Sequence, residues 1–390
     1  MSFQMYVPTR ILFGAGELGR LHAQAFPGHK AMLVISNGKS TRENGYLART
    51  ERELQEAGVG TAVFDRVQPN PLKSTVMEGA AFARENGCDF IVALGGGSVM
   101  DASKAIAVMA VNEGDLWDYI GGGTGKGLVP ENTPLPIVAI TTTAGTGSEV
   151  DQWGVITNEE THEKIGFGGL DSLFPVLAVV DPELMKSVPP EYTAYQGFDA
   201  LFHSVECYIS AAANPMSDMY ALTAVEHIGR YLARAVKDGG DREAREAVAF
   251  ANTLSGVVMT VSSCTSEHSM EHAMSAFHQE LPHGAGLIMI SRAYYTWFIE
   301  RHACDERFIR LAQALGRKDA AKPMDFIEAL ARLQEDCGVA KLKMSDYGIV
   351  PEEFPVLARN ARETMGGLFS SDRVPLDEAS CAGIYEKSYR

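Results

Sequence analysis

The stretch 89-DFIVALGGGSVMDASKAIAVMA-110 passes from a short apolar run, through three consecutive glycines, into a segment with apolar residues at helical spacing. DFIVAL has the length and composition of a strand buried on both faces. The glycines admit close backbone approach, and a helix starting just after them presents unpaired N–H groups and the positive end of its dipole. Ser98 suits the N-cap, and its hydroxyl is placed to reach a phosphate oxygen. A plain strand-to-helix turn needs one glycine, not three. The reading is therefore a strand-turn-helix unit whose natural occupant is a pyrophosphate.

Four more β-branched runs share the grammar of DFIVAL: AMLVIS (31–36), TAVFD (61–65), PIVAI (136–140) and VLAVV (176–180). Amphipathic segments of crossover length, 42-RENGYLARTERELQEAG-58 and 72-LKSTVMEGAAFARENG-87, lie between the first three strands. This alternation predicts an α/β N-terminal domain, a doubly wound, mostly parallel, Rossmann-like sheet with ligands at the carboxyl ends of its strands. From about residue 184 the strand signal stops, and segments such as 217-SDMYALTAVEHIGRYLARAV-236, 243-EAREAVAFANTLSGVVMT-260 and 324-MDFIEALARLQEDCG-338 carry helical periodicity. An all-α C-terminal domain is expected over 185–390, after a dinucleotide-binding domain over 1–184, with Pro189-Pro190 near the junction. The tract 121-GGGTGKG-127 reads as a flexible surface loop. A strict G-x-G-x-x-G also occurs, at 14-GAGELG-19, but no acidic residue for a ribose stands about 20 positions on, and the segment precedes the first crossover unit. It reads as a decoy.

A chain of 390 residues with 46% hydrophobic content is long enough for two cores. The net charge of −16 argues against nucleic acid or an anionic membrane as partner, since both require a basic face. The opening residues, MSFQMYVPTRILFG, lack a basic segment followed by an apolar run, and no stretch approaches a membrane span. Six cysteines are scattered without a C-x-x-C, so a reduced, cytoplasmic protein is expected, without a thiolate framework.

The second half concentrates metal-binding chemistry. Asp199 and His203 in 199-DALFH-203 are four apart and share one helix face; His268 and His272 repeat that spacing in 268-HSMEHAMSAFHQELPH-283, which ends on His283. One helix-face histidine is ordinarily structural. Four of the ten histidines fall within this one segment, and an Asp/His pair lies elsewhere. One carboxylate and three imidazoles suit a divalent transition metal, iron(II) or zinc alike.

Taken in order, PNP (69–71), GGGSVMDASKA (95–105), TTAGTGSE (142–149), GFDALFH (197–203), the H-x3-H at 268–272 and PHG (282–284) resemble the iron-containing (group III) alcohol dehydrogenases, a family that includes lactaldehyde reductases and butanol dehydrogenases. The resemblance spans essentially the whole chain. It implies that Asp199, His203, His268 and His283 hold the metal, while His272 lies beside the substrate; one turn from a ligand and with an imidazole's titration range, His272 is then a proton relay or a structural neighbour of the ligands. It further implies dinucleotide contacts at Gly96, Gly97, Ser98, Thr142, Thr143 and Thr146, with Asn70 and Lys164 at further cofactor positions. The segment between His272 and His283 is one residue longer than the family pattern, which raises His278 as a substitute ligand; a bystander is expected.

The implied activity is metal-dependent, NAD(P)-linked oxidation of a small alcohol or reduction of an aldehyde, in a homo-oligomer, with the reaction in a cleft between domains. Glycerol dehydrogenases and dehydroquinate synthases are the related alternatives, the latter needing a lysine- and arginine-rich pocket that the sequence lacks. A metal-storage or nucleotide-sensing protein is the non-enzymatic one. The acid that holds the ribose 2′-hydroxyl falls, in the resembling family, just after the strand matching AMLVIS, where this chain has Asn37-Gly38-Lys39-Ser40. With Gly38 there, no negative charge is expected to oppose a 2′-phosphate, and Lys39 can pair with it. The reading leans to NADP.

Overall fold

The computed structural model describes residues 3–390 and divides them into two compact units. One comprises Val7–Thr143 and Gly147–Ser187; the other is Val188–Arg390, joined by Ala144–Thr146 and the segment up to Tyr6.

The first unit is built on a six-stranded, wholly parallel sheet. Its strands are β1 (Arg10–Phe13), β2 (Lys30–Ser36), β3 (Gly60–Val67), β4 (Phe90–Gly95), β5 (Ile137–Thr141) and β8 (Leu177–Val180), in the order β1-β8-β5-β4-β2-β3. All five runs singled out by composition are strands of this sheet, and the ILF segment supplies its edge. Along β4, Ile91 and Ala93 pack on one face with the helices α2 (Lys73–Glu85) and α3 (Gly97–Met109). Phe90, Val92 and Leu94 pack on the other face with α1 (Tyr46–Glu56). Both faces are covered, which is why these strands are continuous apolar runs rather than alternating ones. The crossover from β2 runs to one side and that from β4 to the other, so the switch point of the sheet lies between β2 and β4.

Three local expectations are corrected. Segment 42–58 is broken at Asn44-Gly45, where Gly45 takes a left-handed φ of 71°, so α1 begins only at Tyr46. The N-cap of α3 is Gly96, with helix from Gly97, so Ser98 sits inside the first turn. The tract 121–127 is a pinned loop: Glu163 accepts from Thr124 N (2.7 Å) and Thr124 Oγ1 (2.5 Å), and Lys126 N and Gly127 N donate to Trp117 O and Ile120 O. Glu163 belongs to an antiparallel hairpin, β6 (Trp153–Asn158) and β7 (Glu163–Gly168), which was not among the expected strands although WGVIT (153–157) is β-branched and aromatic.

The second unit is helical. Its longer helices are α4 (Pro190–Ile209), α5 (Pro215–Lys237), α6 (Arg242–Val261), α7 (Ser266–Phe277), α8 (His283–Ile299), α9 (Asp305–Ala314), α10 (Asp325–Asp336), α11 (Phe354–Thr364) and α12 (Glu378–Ser388). α4 is buried along almost its whole length from Thr193, as is α7. Pro189-Pro190 starts α4, with proline at its first position, where the missing N–H costs nothing. Among the described residues no single helix is long and apolar enough to cross a membrane.

Candidate active site

In the helical unit, α4, α7 and the start of α8 bring three imidazoles around one carboxylate oxygen. Asp199 Oδ1 lies 3.5 Å from His203 Nδ1, 3.4 Å from His268 Nε2 and 3.5 Å from His283 Nε2. The rings of His203 and His268 stack with centroids 4.2 Å apart. Asp199, His203 and His268 are buried. Two backbones approach only because glycine permits it. A Cβ on Gly284 would stand 2.2 Å from Tyr195 O, so glycine lets the first turn of α8, and with it His283, seat on α4. A Cβ on Gly145 would come within 3.0 Å of Gln196 O on α4, and as near to Asp199 Oδ2.

Two carboxylates that the sequence reading did not find set the imidazole orientations. Glu206, on α4, is hydrogen-bonded to His268 Nδ1; Glu271, on α7, is hydrogen-bonded to His283 Nδ1. Each bond fixes its ring with Nε2 turned toward Asp199. Glu206 also accepts from Thr265 N (2.9 Å) and Thr265 Oγ1 (3.0 Å), so one carboxylate both caps α7 and aims His268. Glu206 and Glu271 lie three residues after His203 and His268. Each serves a histidine on another helix instead of its own, which no local spacing reveals.

The electrostatics follow from this packing. Burial opposes ionisation of Asp199, but His203 and His283 outweigh it and hold the carboxyl well below its ordinary range. Burial, with His268 nearby, pushes His203 down to about 3, leaving a neutral imidazole at physiological pH. Burial pulls His268 down as well, but Glu206 and Asp199 prevail and raise it. His203 Nδ1 is fully buried with no hydrogen-bond partner, 3.5 Å from Asp199 Oδ1. An orphaned lone pair beside a carboxylate and two oriented Nε2 atoms is a donor set that fits a divalent iron or zinc ion.

His272 is next to this cluster and outside its convergence. Its ring centroid is 5.1 Å from that of His283, and Nδ1 contacts Met365 Sδ at 2.8 Å. His278 is not gathered in. It ends α7 and faces Glu353 at 3.1 Å, which removes it as a substitute ligand.

In the α/β unit the glycine loop opens α3 at the carboxyl end of β4, on one side of the switch point. Its shape is fixed by contact: a Cβ on Gly95 would meet Val99 Cγ2 at 2.6 Å, and one on Gly96 would meet Thr143 Cγ2 at 2.8 Å. Thr142 N donates to Gly95 O, which lays Thr142 and Thr143 along the loop containing Gly97 and Ser98. Thr146 belongs to the helical unit. Asn70 and Lys164 are brought together, Lys164 Nζ donating to Asn70 Oδ1 at 3.1 Å, with Asn70 at a φ of 51°. Across the switch point, Ser36–Lys39 line a depression of about 290 Å³ with Arg42, Glu43 and Asp65. The expected absence of acid near Gly38 is thereby corrected: Asp65 comes from β3, and the strand pairing that places it there was not legible locally.

Beyond its first turn, α3 is also anchored from within. Lys104, 1% exposed, donates to Asp151 Oδ1 (2.7 Å), Ser148 O (2.9 Å), Ser148 Oγ (2.7 Å) and Trp153 O (2.6 Å). Asp101 accepts from Ser148 Oγ (2.9 Å) and Val155 N (3.0 Å). By contrast, 14-GAGELG-19 leads into a 3-10 turn, and Asp181 accepts from Gly16 N (3.0 Å) and Leu18 N (3.2 Å). An internal carboxylate already occupies that anion position.

Comparison with known proteins agrees with this architecture. Residues 8–182 match the model of the iron-containing alcohol dehydrogenases, and residues 193–389 match the C-terminal model of the Fe-containing alcohol dehydrogenase family. The chain is 35% identical to a 1,3-propanediol dehydrogenase of Klebsiella pneumoniae over 404 aligned positions, covering 100% of both proteins. It is 32% identical to an NAD-dependent methanol dehydrogenase of Bacillus methanolicus, covering 92% of this chain and 93% of that one. The solved structure of an archaeal halo-thermophilic alcohol dehydrogenase from a Red Sea brine pool superposes with a TM-score of 0.93 at 35% identity, covering 100% of this chain and 99% of that one. The chain belongs to the iron-containing alcohol dehydrogenase family and is a metal-dependent alcohol dehydrogenase, an oxidoreductase.

Proposed function

We propose that Asp199, His203, His268 and His283 hold the divalent metal of a dehydrogenase that interconverts a small alcohol and its aldehyde with a nicotinamide dinucleotide. The observation that carries this reading is the meeting of Asp199 Oδ1 with three imidazole nitrogens at 3.4–3.5 Å. When bound there, iron(II) or zinc supplies Lewis-acid polarisation of the substrate oxygen. Glu206 and Glu271, held on Nδ1 of His268 and His283, aim the Nε2 atoms of both rings for that role. His272 takes or returns the hydroxyl proton, with Met365 fixing its ring.

Gly96, Gly97, Ser98, Thr142, Thr143 and Thr146 bind the dinucleotide, its pyrophosphate on the first turn of α3, with Asn70 and Lys164 as a paired contact. At Gly38 the proposal favours NADP over NAD. Lys39 and Arg42 supply cationic partners for a 2′-phosphate, while Asp65 is engaged by Arg42 at 2.6 Å. A homo-oligomer in the cytoplasm is the proposed state; six free thiols agree with a reducing compartment.

Metal analysis and turnover of three variants test the assignment. His268→Ala and His283→Ala each lose bound metal and activity together. His272→Ala keeps the metal and changes the rate or its pH profile. Loss of metal from His272→Ala with retention in His268→Ala overturns it.

A further inference from the structure

The donor cluster has a member that neither the Asp/His pattern nor the family match assigns. Cys264 lies in the turn between α6 and α7, partly accessible, and its Sγ falls within 4.8 Å of ring nitrogens of His203 and His268. A metal bonded to sulfur at about 2.3 Å and to imidazole nitrogen at about 2.0–2.1 Å bridges donors at such separations after small side-chain shifts. Cys207, buried on α4 one turn beyond His203, neighbours this thiol. Cys207 is itself held by the Ser262 Oγ bond to its carbonyl at 2.9 Å, so the pair of sulfurs sits on fixed backbone. Beside them is the unpartnered, buried His203 Nδ1.

We propose that Cys264 gives this metal centre a second coordination mode, His203–Cys264–His268, alongside the one that uses Asp199 and His283. The inference rests on the proposed metal reading and adds a determinant of which ion is held. The two modes share His203 and His268 and differ in whether the remaining donor is a soft sulfur or a hard oxygen with a third imidazole. Thiolate favours borderline-soft ions such as zinc, cobalt(II) and cadmium, whereas carboxylate and imidazole serve iron(II) well. Coordination replaces the S–H bond by a metal–sulfur bond and releases the proton to solvent, with no change of oxidation state. Sulfur then competes with Asp199 for a thiophilic ion and leaves iron(II) with the oxygen and nitrogen donors.

X-ray absorption on the full-length protein, loaded separately with zinc and with iron(II), tests this directly. The zinc form is expected to show one sulfur scatterer at about 2.3 Å, and the iron(II) form only nitrogen and oxygen scatterers at about 2.0–2.2 Å. Cobalt(II) loading should give a sulfur-to-metal charge-transfer band in the near ultraviolet that Cys264→Ser abolishes. In competition, Cys264→Ser should lower the zinc-to-iron affinity ratio by roughly ten- to a hundredfold. A wild-type zinc form with nitrogen and oxygen scatterers alone overturns the proposal and needs no variant to fold. Metal bound in stoichiometric amount without sulfur refutes the Cys264 mode but leaves the Asp199 site standing. Failure of the His268→Ala and His283→Ala tests removes both.

Discussion

Each unit buries a cluster of charges, and the two clusters are completed differently. In the α/β unit, Asp101 and Asp151 face Lys104, an ammonium whose three N–H groups are shared among four side-chain and backbone oxygens. The cation is part of the chain, and the cluster is a fastening that ties α3 to residues 148–155. In the helical unit, Asp199 faces three imidazoles, two with Nδ1 committed to carboxylates and one with an unpartnered Nδ1. There the inward atoms are a carboxylate oxygen and imidazole nitrogens, all of a kind that ligate a metal. A buried acid with a lysine is structural bracing; a buried acid ringed by oriented lone pairs is a ligand set. Burial and charge are alike in the two places, so the distinction lies in donor type.

That contrast makes opposite forecasts for similar substitutions. Asp199→Ala should have the largest effect: metal affinity falls by about a hundredfold or more. Turnover should fall by about a thousandfold, the equivalent of several kcal/mol of lost transition-state stabilisation. Metal analysis and steady-state assay read both. Lys104→Met should instead leave metal stoichiometry intact and cost about 3–5 kcal/mol of folding stability, because it strands buried carboxylates. Denaturant unfolding measures it. If Lys104→Met strips metal, or Asp199→Ala retains it, the two clusters are not the different devices described.

A third forecast uses pH. Burial raises Asp101 to about 6 from an ordinary 3.8, with Lys104 opposing and Asp151 adding to the rise. The native state therefore binds this proton more tightly than the unfolded chain does. Ionising Asp101 costs stability as pH climbs from about 4 to about 6, and the loss is complete above that. Asp101→Asn should gain stability relative to wild type across that window and stay level beyond it, by at most about 3 kcal/mol. A stability difference independent of pH between 4 and 7 contradicts this. The smallest effect concerns the depression at Gly38. Gly38→Asp should shift the kcat/KM ratio toward NAD by about tenfold, the repulsion expected of one added charge near a phosphate. A strong wild-type preference for NAD would remove the NADP proposal.

The glycine motifs show where local reading reaches its limit. GGGS at 95–98 and GAGELG at 14–19 both set glycine before a turn of helix. The missing acid downstream of GAGELG argued against it from sequence; Asp181, 163 residues beyond Leu18, supplies the physical reason. Similarly, Arg42 and Glu43 were in plain view near Gly38, whereas Asp65 reaches the same depression only through the pairing of β2 with β3.

The sequence by itself determined the five buried strands, the order of sheet before helices, the helix phase of Asp199 with His203 and the density of histidine near 268–283. These follow from periodicity and spacing along one element, where neighbours in sequence are neighbours in space. Only the tertiary structure decided the rest. It seated Glu206 on His268 and Glu271 on His283, turned His278 away to Glu353, formed the β6–β7 hairpin and set Cys264 beside two histidines. Those contacts join residues on different elements, and their geometry depends on how closely helices pass. In this chain a glycine such as Gly284, against the backbone of Tyr195, sets that distance.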